Sequence, residues 1–331
     1  MKKLILSSAA LVSVLALASC SGGATSTGST DTASENSFPE SGEVVTLIVP
    51  FDAGGITDVF ARLFAPELEE ALGTTVRVEN VPGAGGQIGL TQLMSSEADG
   101  YTIGFTNLPS ALAYLDPARQ AAYDETSFTP IAGVALSPTV IAVAADSPYE
   151  TLEDYVEAAA DAPGEITLGS GGSGASDDYL ASIELERAGD VDLNIVTFEG
   201  GSADKVTALL GGNVEAIMGS AGGFLPQVAN GDIRLLASAT EEPSALLEDV
   251  PTFAEAGYDV VVSGTLNISG PAGLPDNVVA AITEATLAAT ESDEFVSTIA
   301  TSGFEPNYLD PADLAALWAE LADVVEPILA G

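Results

Sequence analysis

The chain has 331 residues, of which 49 are acidic and 8 basic, for a formal charge of −41 at pH 7. That balance excludes nucleic acid and anionic lipid surfaces as partners, because neither would meet counter-charge here. With no histidine and a single cysteine, Cys20, Ser-His-Asp and Cys-His catalysis, His-ligated zinc and disulfides within the chain are excluded as well.

A carboxylate-only enzyme such as a glycosidase stays open, since it needs only two acids. Such a charge also implies strong self-repulsion, which about 1 M salt relieves by cutting the Debye length to roughly 3 Å. A saline habitat is one reading of the acidity. An exported protein of an acidic lineage is the other.

In chain order, Lys2 and Lys3 precede an apolar run from Leu4 to Leu17, closed by Leu17-Ala18-Ser19-Cys20. The run is too short for a spanning helix and carries signal-peptide flanks. Leu-Ala-Ser-Cys resembles a bacterial lipobox, so residues 1–19 read as a lipoprotein signal peptide and Cys20 as the lipidated residue; an ordinary signal peptide with a chance cysteine is the alternative. Residues 20–42 are rich in Ser, Thr and Gly without apolar periodicity, the composition of a tether that as a coil spans on the order of 25 Å.

The body from residue 43 is long enough for two domains and alternates strand and helix patterns. "VVTLIVPF" (44–51) reads as a strand buried on both faces, and "TDVFARLFAPELEEAL" (57–72) as a helix closed by Gly73. A strand at 74–80, a helix at 85–96 and a strand at 101–106 follow. Beyond Pro130 come the apolar stretch 133–145, a helix opened by the capping pattern "TLED" (151–154), the strand "EITLGS" and a helix near 176–188. "LNIVTF" and "DKVTALLGG" repeat the alternation over 193–212. Strands are expected at 214–220 and 233–240, and helices at about 275–290, 291–300 and 311–329, the last with Trp318 in the core. Repeated βα units imply parallel sheets covered by helices.

Three glycine loops fall between a strand and a helix: Pro50 to Asp58, Pro82 to Gly89, and the stretch "EITLGSGGSGAS" (165–176). The last spells G-x-G-x-x-G, but it does not lie near a chain start, and the Rossmann reading is set aside. No glycine is followed by Lys-Ser or Lys-Thr, so there is no P-loop. At the carboxyl ends of strands such loops favour an anion through helix N–H groups and dipoles. Three of them without Lys or Arg point to a small anion held by amides and hydroxyls. No cofactor and no metal site are implied.

"LIVPFDAGGITDVFARLFAPELEEALGTTVRVENVPGAGGQIG", "EADGYTIGF", "FTPIAGVALSPTVIAV", "TFEGGSADKVTALLGGNVEAIMGS", "NGDIRLLASAT", "DVPTFAEAGYDV" and "GPAGLPDNVVAAI" together resemble the tripartite tricarboxylate transporter receptors, the Bug-like extracytoplasmic solute-binding proteins. The resemblance covers nearly the whole chain after the tether. It implies an α/β Venus flytrap of the periplasmic-binding-protein kind, two lobes joined by two crossover strands. Lobe 1 would comprise 43–133 plus 263–331, and lobe 2 residues 134–262. It also implies a small carboxylate ligand, a membrane-embedded transporter partner and no enzymatic activity.

Carried over, the ligand contacts are Phe51, Asp52, Gly54, Gly55, Thr57 and Asp58 on one lobe, faced by Ser170, Gly172, Ser173 and Ser176 on the other. The residues themselves add Gly86, Gln87, Thr106 and Asn107 as candidates, with Asp178 and, more weakly, Ser220. The chain departs from the family pattern at Asp52, Val81, Asp178 and Glu199. Surface adaptation explains these departures, or else Asp52 or Asp178 accepts an amino group or hydroxyl of a different ligand. Arg62 pairs Asp58 at i,i+4 or reaches the ligand; Thr106 and Asn107 donate to a carboxylate or serve the turn; Phe51 packs on the ligand or plugs the cleft floor. A carboxylate-only secreted hydrolase and a surface interaction lipoprotein are the competing functions.

Overall fold

The structure, a computed structural model, describes residues 38–172, 174–198 and 201–329. The signal peptide, Cys20, most of the tether, Ser173 and Glu199 lie outside the described residues.

The first elements are β1 (Val44–Val49), α1 (Ile56–Leu72), β2 (Thr75–Asn80), α2 (Gln87–Met94), β3 (Thr102–Phe105) and β4 (Phe128–Ser137). Next come β5 (Thr139–Ala144), α3 (Leu152–Asp161), β6 (Thr167–Gly171), α4 (Asp177–Gly189), β7 (Asn194–Phe198) and α5 (Gly201–Leu210). The chain continues through β8 (Ala216–Ser220), α6 (Leu225–Asn230), β9 (Ile233–Ser238) and β10 (Gly264–Pro271). It ends with α7 (Asp276–Thr290), α8 (Asp293–Thr301), β11 (Glu305–Leu309) and α9 (Pro311–Leu329).

These strands build two sheets. One runs β11-β4-β10-β3-β1-β2, the other β7-β6-β8-β5-β9. Both are mixed, which corrects the expectation of parallel sheets. The β1–β2, β1–β3, β6–β7 and β6–β8 pairs are parallel, while β10 runs antiparallel to β3 and β4, and β5 antiparallel to β8 and β9. The cause is the double crossing. The chain leaves the first sheet at Ser137, enters the second at Thr139, and returns at Gly264, which pairs with Ser137. A strand that arrives from the other sheet, rather than from a βα turn, is not bound to run parallel.

Helix α1 shows why these residues fold as they do. Phe60, Phe64 and Leu68 recur at i, i+4 and i+8, and all three are buried against the first sheet. Phe60 sits edge-on to Phe105 of β3, ring centres 6.0 Å apart. Gly73 caps the helix end through its N–H to the Glu69 carbonyl at 2.9 Å. The second sheet has its own core, with Ile141, Tyr155, Leu168 and Met218. A further cluster joins α9 to α4: Leu314, Trp318 and Val325 share a buried group with Leu180, so Trp318 is core as expected.

Candidate functional site

The first loop, Pro50 to Thr57, carries the chain from β1 into α1. Asp52 and Gly54 are exposed, and Gly54 has a φ of +83°, a conformation that favours glycine. The loop is fastened from within. Gly54 N–H donates to Asp58 Oδ2 at 2.8 Å, Gly55 N–H donates to the Asp52 carbonyl at 3.1 Å, and Asn80 Nδ2 donates to the Phe51 carbonyl at 3.2 Å.

Asp58, buried, also accepts from Arg62 Nε at 3.0 Å, and Arg62 donates onward to Asn80 Oδ1 at 3.0 Å. Burial alone would raise the Asp58 pKa. The Arg62 and Gly54 hydrogen bonds outweigh it and hold the carboxyl below its ordinary value. The Gly54 and Gly55 amides are bonded within the turn, and Asp58 fastens the loop with Arg62 as its i,i+4 partner. Phe51 packs on the first core and covers Gly86, whose Cβ would lie 3.2 Å from the ring. Gly86 is buried with its N–H bonded to the Gly83 carbonyl at 3.0 Å, so its amide is not presented either.

The donors that stay open come one step later. Gly55 occupies the cap position of α1 without a side chain to cap it, and the Ile56 and Thr57 N–H groups find no acceptor among the described residues. Asn107 Nδ2 donates to Thr57 Oγ1 at 2.8 Å, which leaves the Thr57 proton free to be given away. Gln87 is half-buried at the first position of α2, behind the uncapped Gly86. Thr106 is a different case. It is 0% exposed and bonded to Ser269 Oγ at 2.6 Å, inside the sheet.

In the second sheet, Gly172 and Ser176 follow β6, and Ser220 ends β8. Ser176 caps α4 by position but makes no side-chain capping bond, and Ser220 bonds Ser137 at the first crossing. Ser170 is 0% exposed and receives Ser182 Oγ at 3.2 Å, so it belongs to the core.

Asp178 is held differently from the other expected site residues. It is 7% exposed and ion-paired with Lys205, itself 3% exposed, whose Nζ also donates to the Met218 carbonyl at 2.8 Å. Burial raises the Asp178 carboxyl, but the Lys205 ammonium overrides it and holds it low; burial and the Asp178 charge push the neighbouring Asp177 up. Lys205 was not singled out from sequence. Its signal is that the single lysine beyond Lys3 lies on the apolar face of α5, one turn before the buried Leu209.

The two loop sets meet. A Cβ on Gly222, just past Ser220, would lie 3.1 Å from Ile56 Cδ1 at the start of α1. On another side Arg119 reaches the Gly172 carbonyl at 3.5 Å. A cavity of about 780 Å³ lies elsewhere, around Asp146, Tyr149, Leu210 and Asp232 at the far end of the second sheet, and no expected site residue lines it. Among the described residues no group of three or more His, Cys, Asp or Glu side chains is placed to hold a metal, and no helix is long and apolar enough to cross a membrane.

Two sheets, each covered by helices and joined by a double crossing of the chain, define a two-lobed α/β fold. The family model of the tripartite tricarboxylate transporter family receptor matches residues 60–330. The chain belongs to that family. BugT of Bordetella pertussis is 30% identical over 271 residues, covering 81% of this chain and 82% of its own. MatC from Rhodopseudomonas palustris, solved with bound malate, superposes with a TM-score of 0.77 at 26% identity, over 88% of this chain and 100% of that one. An R. palustris protein solved with adipate gives 0.79 at 27% identity, over 88% of this chain and 98% of that one.

Proposed function

We propose that the protein is an extracytoplasmic receptor that captures a small organic anion, a di- or tricarboxylate, between its lobes and delivers it to a tripartite tricarboxylate-type membrane transporter. One observation carries the reading. Helix α1 begins without a side-chain cap, and its Ile56 and Thr57 N–H groups have no acceptor among the described residues, whereas α3 and α8 are capped by Thr151 and Ser292. Uncapped starts present N–H groups and the positive dipole end to an anion. Malate and adipate in structural relatives are of the class such donors suit.

The ligand-facing set we propose is Ile56, Thr57, Gln87 and Asn107 on one lobe, with Gly172, Ser176 and Ser220 on the other. The lobes divide as 43–133 with 263–331 against 134–262, and sheet membership supports this except that β4 stays in the first sheet through Ser137. Cys20, lipidated, would tether the receptor to the membrane. The test is a thermal-shift screen of the purified chain in about 1 M salt against mono-, di- and tricarboxylates, amino acids and sugars. A ligand at 100 times its Kd adds about 2.7 kcal/mol. Stabilisation by carboxylates alone supports the reading; stabilisation only by amino acids or sugars refutes it.

A further inference from the structure

We propose that a seam without side chains, Gly222 against Gly303, sets how closely the two lobes approach and thereby the length of anion the cleft accepts; the second clause rests on the receptor reading above. Gly222 follows β8 in the second lobe. Gly303 makes the turn from α8 to β11 in the first, with a φ of +81°. The lobes touch here backbone to backbone. A Cβ on Gly222 would fall inside contact distance of the Ser302 carbonyl oxygen, and one on Gly303 would collide with the Gly222 Cα and lie 2.7 Å from its nitrogen.

Neither backbone is free to retreat. Ala221 N–H donates to the Pro138 carbonyl at 2.8 Å, Phe224 N–H to the Ala221 carbonyl at 2.9 Å, and both side chains are fully buried in the second lobe. On the opposite side Gly303 N–H donates to the Ala300 carbonyl at 3.0 Å and Phe304 N–H to the Ile299 carbonyl at 3.1 Å. The Phe304 ring is sunk 5.0 Å from Phe60. An added side chain therefore moves lobes rather than loops. Carbon atoms rest about 3.5–4.0 Å apart, so even a methyl group requires the lobes to part by roughly 1 Å at this point. Ile56 opens the helix whose unpaired N–H groups are assigned to the anion under that reading and stands beside Gly222, so separation at the seam widens the anion's own berth.

The test uses the full chain in a Cys20→Ser background, spin-labelled at Glu70→Cys on α1 and Glu157→Cys on α3, both exposed. Electron–electron distances are measured for the native seam, Gly222→Ala, Gly222→Val and Gly303→Ala, with melting temperatures as the fold control. Calorimetry on succinate, glutarate, adipate and pimelate accompanies them. The expected result is a stepwise longer interlobe distance and a shift of preference toward longer diacids. The diacid bound best by the native seam should lose on the order of tenfold in affinity or more. Unchanged distances in folded variants overturn the seam. Longer distances with an unchanged preference overturn its role in specificity. Longer distances in a protein that binds no diacid support the seam and overturn the carboxylate reading instead.

Discussion

The buried pair Lys205–Asp178 gives the sharpest energetic prediction. Gly171 ends β6 and Gly219 is the last residue but one of the neighbouring β8, and a side chain at either position would crowd this pair. A Cβ on Gly171 would meet Asp178 Oδ2 at 2.9 Å, and one on Gly219 would meet Lys205 Nζ at 2.8 Å. Lys205→Met fits the aliphatic stem and removes the ammonium, leaving Asp178 with the Tyr179 N–H at 2.9 Å and no counter-charge. Breaking a buried pair from one side costs about 3–5 kcal/mol. At about 2–4 °C per kcal/mol for a body of this size or somewhat smaller, the melting temperature should fall by roughly 10 °C. Lys205→Met with Asp178→Asn removes both charges and should recover most of the loss.

The pH dependence has a definite sign. Asp178 is held low in the native protein, so its contribution is present above the unfolded carboxyl pKa, about 3.9, and is lost as pH falls through the lower folded value. Without Lys205 the buried carboxyl is pushed up instead. Its protonation on acidification then relieves the uncompensated charge, and the gap between native and variant should narrow between neutral pH and about pH 5. Scanning calorimetry across that range is the assay. A Lys205→Met protein that melts within about 2 °C of native at neutral pH, or a double variant as unstable as the single one, refutes the reasoning.

Thr57→Val should abolish calorimetric binding of whichever carboxylate the screen identifies, at a near-native melting temperature; an unchanged Kd removes Thr57 from the site. Asp58→Asn keeps one hydrogen-bonding oxygen but loses the ion pair with Arg62, at about 1–2 kcal/mol. Because Asp58 is held low in the native protein, this deficit should be largest at neutral pH and vanish below the native carboxyl pKa in urea titrations. Cys20→Ser should move the protein from the membrane fraction to the soluble one, and full retention in the membrane would disprove the lipid anchor.

Much of the fold was legible because it is local. The i, i+4, i+8 aromatic stripe of α1, the Gly73 cap, the Thr151 capping box and the βα alternation all act within a few residues. Strand β10, "GTLNISGP", was not legible. Its Thr265, Asn267 and Ser269 are buried only because β3 and β4 flank it from more than a hundred residues away. Strand β11, "EPNYL", has no apolar run and exists through its pairing with β4.

The glycine loops were found where expected, yet which of their donors remain open was not readable. That depends on Asp58 and Asn80 turning inward, the first fixed by Arg62 and the second by the register of β2 against β1. The pairing of Asp178 was not readable because its counter-ion is 27 positions further on.

The charge distribution makes one last demand. Of the basic residues in the body, Arg62, Arg77, Arg119, Arg187 and Lys205 are each paired with an acid, and Arg234 is bonded to the Tyr149 and Ala145 carbonyls at 2.9 and 3.0 Å. No spare cation among the described residues stands ready for an anion, so neutral N–H and hydroxyl donors must hold it against the field of a chain carrying −41. A site lined by Lys or Arg weakens with salt as its attraction is screened. Here the long-range term is repulsive, and screening it should strengthen binding. Raising ionic strength from 0.1 to 1 M shortens the Debye length from about 10 Å to about 3 Å, while short N–H contacts inside the closed cleft are barely touched. Carboxylate affinity measured by calorimetry should therefore rise with sodium chloride over that range. A steady fall would mean that an unpaired cation lines the closed cleft after all, with Arg119, beside Gly172, the first to substitute.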